Sequence, residues 1–310
     1  MTLIIEKKNN IDDWEALLRE YLTDMRKITD EEILNKNIDH LKTALKENKR
    51  IALIALVNNT PIGFITGNLE GEVLEGVAVY IKPESYPENC GYQLVNALTE
   101  YGFQNNAKYF RYTFSLPHNL ESSFEEHLKK NGFMLFPRAQ MLLKLSADGN
   151  QNITLPEGYF FEPFSVEKTD QIFDVMVAAN PIGHSDSYIY PEMRSSKWSE
   201  QIFSGFSNNF HALDLDLNQQ VSYNNKIVGI SFVFANNPET SFIAEICIHP
   251  EYQGKGLGKA LMKKIIQESS RKGFKQLGLA VTVDNSGAYS LYQKLGFQTT
   301  KDLLAIVKHK

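Results

Sequence analysis

Glu245-Ile246-Cys247-Ile248-His249-Pro250-Glu251-Tyr252-Gln253-Gly254-Lys255-Gly256-Leu257-Gly258-Lys259-Ala260-Leu261 is the stretch on which the fold turns. It reads as a strand, a proline stop, a glycine-rich turn and the start of a helix. Such a turn lets several backbone N–H groups converge on one point, and the helix N-terminus behind it adds roughly half a positive charge. The product is an anion site suited to a pyrophosphate. Glycines at 254, 256 and 258 permit positive φ and a close approach by a ligand. A glycine trio on its own also fits a mere tight strand-to-helix turn. A P-loop needs G-x-x-x-x-G-K-[ST], and Gly258-Lys259-Ala260 lacks the hydroxyl that would hold magnesium. The dinucleotide fingerprint needs G-x-G-x-x-G, a spacing these glycines do not have.

Outward from this stretch, the chain repeats. Ile81-Lys82-Pro83-Glu84 and Gly91-Tyr92-Gln93-Leu94 match Ile248-His249-Pro250-Glu251 and Gly258-Lys259-Ala260-Leu261, each 167 positions on (83 to 250, 91 to 258). Asn59-Thr60-Pro61-Ile62-Gly63 matches Asn225-Lys226-Ile227-Val228-Gly229 at 166, and Lys130-Asn131-Gly132-Phe133 matches Lys294-Leu295-Gly296-Phe297 at 164. Matches in common order at a nearly constant offset are what two copies of one fold with small loop changes produce. The polar stretch Ser146-Ala147-Asp148-Gly149-Asn150-Gln151-Asn152 carries a turn signal and marks the boundary, giving domains over 1–148 and 149–310. Each is of ordinary domain size.

Periodicity gives both halves the same order of elements. The first has a strand at 3–6, helices over 12–27 and 30–48, strands over 51–57, 61–69 and 73–81, a helix over 90–103, a strand over 108–116, a helix over 120–131 and a strand over 141–145. The second has a strand at 159–162, helices over 169–179 and 192–206, strands over 220–223, 226–235 and 242–248, a helix over 257–272, a strand over 276–281, a helix over 286–294 and a strand over 303–307. This alternation predicts an α/β class in its α+β form, a mixed and mostly antiparallel sheet flanked by helices.

The 310 residues carry 32 Lys and Arg against 37 Asp and Glu, a net charge of −5, so no global positive field favours nucleic acid or an anionic membrane. The longest apolar run, 51–57, is far short of the roughly 20 residues that cross a bilayer. The start of the chain lacks the apolar core of a secretory signal, so the expected location is the cytoplasm. Cys90 and Cys247 stand far apart, with no neighbouring Cys or His at metal-ligand spacing, so reduced thiols and no metal are expected.

The stretch 250–258 resembles motif A of the GNAT superfamily, the acyl-CoA-dependent N-acyltransferases, with Gln253, Gly256 and Gly258 on the pattern Gln/Arg-x-x-Gly-x-Gly/Ala. Asn285-Ser286-Gly287-Ala288-Tyr289-Ser290-Leu291-Tyr292-Gln293-Lys294-Leu295-Gly296-Phe297 resembles the family's second signature. The resemblance is carried by 220–308, and over 1–148 it rests on the internal repeat. It implies two tandem GNAT-like domains with acetyl-CoA as co-substrate. The backbone of Gln253, Gly254, Lys255, Gly256, Leu257 and Gly258 would bind the CoA pyrophosphate, and Asn285 would lie near the pantetheine or phosphate. A backbone N–H at Cys247 or Ile248 would polarise the acetyl carbonyl. Tyr292 would donate to the departing sulfur, being a neutral phenol at pH 7, unless it is a core aromatic. Glu245, the only carboxylate in the strand leading into the loop, would take the amine's proton, or else be a structural charge. Lys255 and Lys259 either steer CoA phosphates or belong to a solvated helix face.

The first copy departs from the pattern. Tyr86-Pro87-Glu88-Asn89 replaces Gln253-Gly254-Lys255-Gly256, removing an N–H and adding a negative charge, and Leu128 replaces Tyr292. It reads as a degenerate copy. In the second, Asp186 and Glu192, within 178–198, stand where an ammonium acceptor would be selected, or on a solvated loop. The resulting expectation is acetyl transfer to a primary amine of a small molecule in a ternary complex. The alternatives are a non-catalytic acyl-CoA-binding regulator and a protein or peptide N-acetyltransferase.

Overall fold

The computed structural model describes residues 2–83, 88–116, 118, 120–146, 152–194 and 217–310. Packing divides the chain into two units, Met1–Phe136 with Leu304–Lys310, and Pro137–Leu303. The boundary expected at 148/149 lies outside the described residues, as do Tyr86, Pro87 and the part of the expected 192–206 helix beyond 194.

In the first unit β1 (Leu3–Lys7), β2 (Ile51–Val57), β3 (Thr60–Glu70) and β4 (Val73–Ile81) pair antiparallel in that order. β4 then pairs parallel with β5 (Tyr109–Ser115). Helices α1 (Glu15–Asp24) and α2 (Glu31–Lys46) precede β2, α3 (Cys90–Gln104) joins β4 to β5, and α4 (Phe124–Lys130) follows β5. The unbroken apolar run of β2 serves two cores. Ile51, Leu53 and Ala55 pack with α3, while Ala52, Ile54 and Leu56 pack with α1 and α2, as a sheet covered on both faces requires. Leu304 and Ile306 complete the α3-side core.

The second unit has β6 (Met134–Lys144, from Pro137 on), β7 (Tyr159–Pro163), α5 (Thr169–Ala179), α6 (Ser185–Ile189), β8 (Gln219–Tyr223), β9 (Lys226–Asn237) and β10 (Thr240–Ile248). These are followed by α7 (Leu257–Arg271), β11 (Gln276–Thr282), α8 (Ser286–Lys294) and β12 (Gln298–His309, up to Leu303). Its strands β6-β11-β10-β9-β8-β7 pair in that order, β10 with β11 parallel and the other neighbours antiparallel. One core lies against α7 and α8 and the other against α5.

The repeat is a repeat of backbone conformation. Asn58-Asn59 and Asn224-Asn225 both take positive φ, 49° and 63° against 50° and 59°, the geometry of a two-residue hairpin turn. β4 skips a residue at Val77 and β10 at Ala244, so each strand carries a bulge at the same place in its copy. α3 and α7 are each 15 residues long and start after a left-handed residue, Asn89 or Gly256.

Two strands outrun the periodicity. β6 begins at Met134 rather than 141, and β12 spans Gln298–His309 rather than 303–307. The first residues of β12 are exposed, so they have ladder partners but no apolar alternation to announce them. Helices expected from 12 and 120 begin at Glu15 and Phe124, after turns.

Candidate active site

β10 and β11 pair only over Thr240–Ile243 and Gln276–Leu279, and the bulge at Ala244 follows at once. Beyond it, β10 keeps its ladder with β9 and leaves its other edge to an opening. Alternation along an antiparallel ladder assigns that edge. The His249 N–H donates to Val228 O at 2.9 Å, so Cys247, in phase with it, also faces β9, while Ile246 and Ile248 face the opening. Of the two candidate N–H donors, Ile248 therefore has the one turned outward. Its carbonyl accepts from Gln253 Nε2 at 2.9 Å, which ties the glycine turn to the strand end.

Gly254 and Gly256 take φ of 75° and 81°, and a Cβ at either would meet nothing within 4 Å. Backbone conformation, not crowding, demands glycine here, and the space beside the turn is open. Gly256 caps α7 with no side-chain hydrogen bond to the helix's first N–H groups. A Cβ on Gly258 would touch only Ile248, at 3.8 Å, so a ligand can reach the N-terminus of α7 closely.

A cavity of about 1110 Å³ runs from this turn along the opening. It brings together Glu245, Cys247, Ile248, Gln253, Gly254, Gly256, Leu257, Gly258, Lys259, Asn285 and Tyr292. Lys255 is not in its lining; its ammonium donates to Glu251 O at 3.0 Å and lies 4.9 Å from the Tyr252 ring centre. The Asn285 side chain accepts from Ala288 N at 3.4 Å and opens α8.

At the other end stand the titratable groups. Tyr292 is buried against Phe297, and burial, then the charges of Glu245 and Asp186, push its phenol well above the usual range. It is a donor at neutral pH. Glu245 is half-buried; burial, then the Asp186 charge, push its carboxyl up to about 7, against the pull of the Ile246 backbone and Arg138. The Cys247 thiol is raised far above its ordinary value by burial and then by Glu245, so it stays protonated. Among the described residues no group of His, Cys, Asp and Glu is placed to hold a metal ion.

Residues 183–297 match the family model described as the acetyltransferase (GNAT) family. This chain carries a GNAT domain. The [ribosomal protein bS18]-alanine N-acetyltransferase of Escherichia coli is 32% identical over 100 residues, which are 32% of this chain and 64% of that one. The match therefore spans less than two thirds of that relative's length. A GCN5-related N-acetyltransferase of Sphaerobacter thermophilus superposes with a TM-score of 0.67 at 13% identity, over 99% of this chain and 95% of that one. A tandem GNAT protein from the clavulanic acid biosynthesis pathway superposes with 0.58 at 13% identity, over 99% and 98%. At such identities the two structures show the fold, a tandem of GNAT-like mixed sheets flanked by helices.

The cavity lining contains residues that the sequence does not announce. Arg138, numerically within 1–148, projects from β6 into the same cavity and is buried. Its Nη1 donates to the Tyr190 hydroxyl at 3.1 Å and lies 3.8 Å from Asp186 Oδ1. Thr282 Oγ1 donates to the same carboxylate oxygen at 2.8 Å, and Ser185 donates to Asp284, so α6 is pinned to the end of β11. Asp186, His184 and Tyr190 line the cavity, whereas Glu192, singled out beside Asp186, does not. An isolated Arg in a strand and a Thr at a strand end give no sequence signal that they meet.

Proposed function

We propose that the second unit transfers an acetyl group from acetyl-CoA to a primary amine of a small molecule, by direct attack in a ternary complex. The observation that carries this reading is the opening of β10 from β11 past Ala244, with an uncapped glycine turn at one end and Glu245 and Tyr292 beside it. The residues fit the co-substrate. Three features suit a pyrophosphate and an extended arm, namely the open space at Gly254 and Gly256, the free approach over Gly258, and the strand edge of Ile246 and Ile248. When bound, acetyl-CoA supplies the thioester.

The chain's own residues do the rest. The turn and α7 hold phosphate oxygens through backbone N–H groups, with Lys259 adding a charge at that end of the cavity. The Ile248 N–H, turned away from β9, polarises the acetyl carbonyl in this reading. Glu245, with its carboxyl near 7, takes the proton that an ammonium must lose before it can attack, and Tyr292 donates a proton to the leaving sulfur. Holding both reactants in line is the largest contribution, up to about 7–11 kcal/mol of the barrier in well-oriented cases.

Tyr292→Phe is expected to lower kcat for acetyl transfer about tenfold or more while leaving acetyl-CoA affinity intact. An unchanged kcat would remove its role. The named activity of the Escherichia coli relative supports a second reading, an α-amine of a protein as acceptor. Steady-state assays with small amines beside peptides beginning in alanine decide between the two. Turnover of the peptides alone overturns the small-molecule acceptor, and acetyl-CoA binding with no turnover of either makes the protein a binding regulator.

A further inference from the structure

The first unit keeps the left-handed entry to the helix that closes the anion cradle and puts its own side chain against the helix start. α3 starts after Asn89, which holds the left-handed conformation at φ 66°, as Gly256 does at 81° before α7. The Gly91 and Tyr92 N–H groups at the start of α3 are not open to a ligand. They donate to the two oxygens of the Glu121 carboxylate, at 3.1 and 2.9 Å. Gly91 is the counterpart of Gly258, and its missing side chain is what admits that carboxylate, since a Cβ there would stand 2.7 Å from Glu121 Oε2. The offset of 164 that aligns Gly132-Phe133 with Gly296-Phe297 carries Glu121 onto Asn285.

The strand opening is filled as well. β4 and β5 pair only over Val73–Glu75 and Tyr109–Arg111, ahead of the bulge at Val77, as β10 and β11 do in their unit. Tyr112 occupies the next position. Its ring packs where a Cβ on Gly76 would stand, 2.7 Å from Cγ, and the backbone of Val79 hydrogen-bonds its hydroxyl. Val79 corresponds to Ile246, which faces the opening of the second unit. The Tyr112 side chain is buried, and its counterpart Leu279 is too short to reach along the strand in the same way.

We infer that the first unit is a self-liganded copy of the fold, in which the Glu121 carboxylate stands in for a bound phosphate and Tyr112 for the arm of a bound cofactor. The chain then offers one CoA site, in the second unit; that stoichiometry rests on the function proposed above, whereas the occupied cradle does not. A carboxylate bridging two N–H groups at a helix start is a charge-assisted pair reinforced by the helix dipole. Removing it leaves a vacant cradle that an oxyanion of similar size can enter.

The test uses the full chain and inorganic phosphate. In Glu121→Ala, phosphate is expected to shift the Gly91 and Tyr92 amide resonances and to raise the lowered Tm toward that of the wild type. The wild-type Gly91 and Tyr92 resonances are expected to stay still. If Glu121→Ala does not fold, Glu121→Asn serves in its place. Titration calorimetry of the wild type with CoA is expected to give one equivalent. Movement of the wild-type amides with phosphate, no movement in either variant, or two equivalents of CoA overturns the inference. No CoA uptake at all defeats the proposed function instead, and the phosphate arm alone then decides the occupied cradle.

Discussion

The two units share a backbone and differ in what fills it. Each has the hairpin turn of two left-handed asparagines, the bulge in the fourth strand of its copy, the parallel strands that separate after it, and a 15-residue helix starting from a left-handed residue. In the second unit these features enclose a cavity of about 1110 Å³. In the first, Glu121 and Tyr112 take the corresponding places, Ala78 stands at the position of Glu245 and Leu128 at that of Tyr292. A bulge and a helix terminus thus set out a site without deciding whether it binds anything. That decision lies with a few side chains, and it can be reversed without changing the fold.

Carrying residues of the first unit into the second tests this difference in graded steps. Glu245→Ala copies Ala78 and is expected to have the largest effect, a fall of about a hundredfold or more in kcat at neutral pH. A base must be ionised to act, so the wild-type rate climbs as pH rises through about 7 and then levels, and the variant is expected to lose that limb. A pH–rate profile of both proteins checks it. Asn285→Glu copies Glu121 and offers the N-terminus of α7 an internal carboxylate; acetyl-CoA affinity by calorimetry is expected to fall about tenfold or more, with the fold retained by circular dichroism. Gly256→Asn copies Asn89 and should do least. Asparagine tolerates the left-handed region at a cost of about 1 kcal/mol, so a Tm lower by a few degrees and affinity within about threefold are expected. If Gly256→Asn proves as damaging as Asn285→Glu, backbone conformation rather than the filling side chain separates the units.

Much of this architecture is written locally and was legible. The Asn-Asn turns, the glycine trio and the apolar faces of α3 and α7 all state their conformation within a few residues. The bulges were not legible, because Val77 and Ala244 are ordinary strand residues whose displacement depends on the neighbouring strand. The exposed start of β12 was silent for the same reason. At the site, Gln253, the three glycines, Glu245 and Tyr292 stood in one or two short stretches, whereas Arg138, Thr282 and the Glu121 plug act through partners 29 to 96 positions away in the chain. Sequence showed that the first copy kept Gly91 but had Pro87 and Asn89 in place of Gly254 and Gly256, and only the fold shows that Glu121 and Tyr112 occupy the corresponding places.

The last strand carries a consequence for the order in which the molecule is made. Leu304 and Ile306 are wholly or almost wholly buried in the core of the first unit, and the Lys310 N–H donates to Lys108 O at 2.9 Å. Residues near the start of the chain must therefore wait through the synthesis of nearly two hundred others before β5 gains this partner and the α3-side core is closed. Such contacts, remote in sequence, slow folding and leave apolar surface uncovered on the nascent chain. The first unit is begun first and finished last.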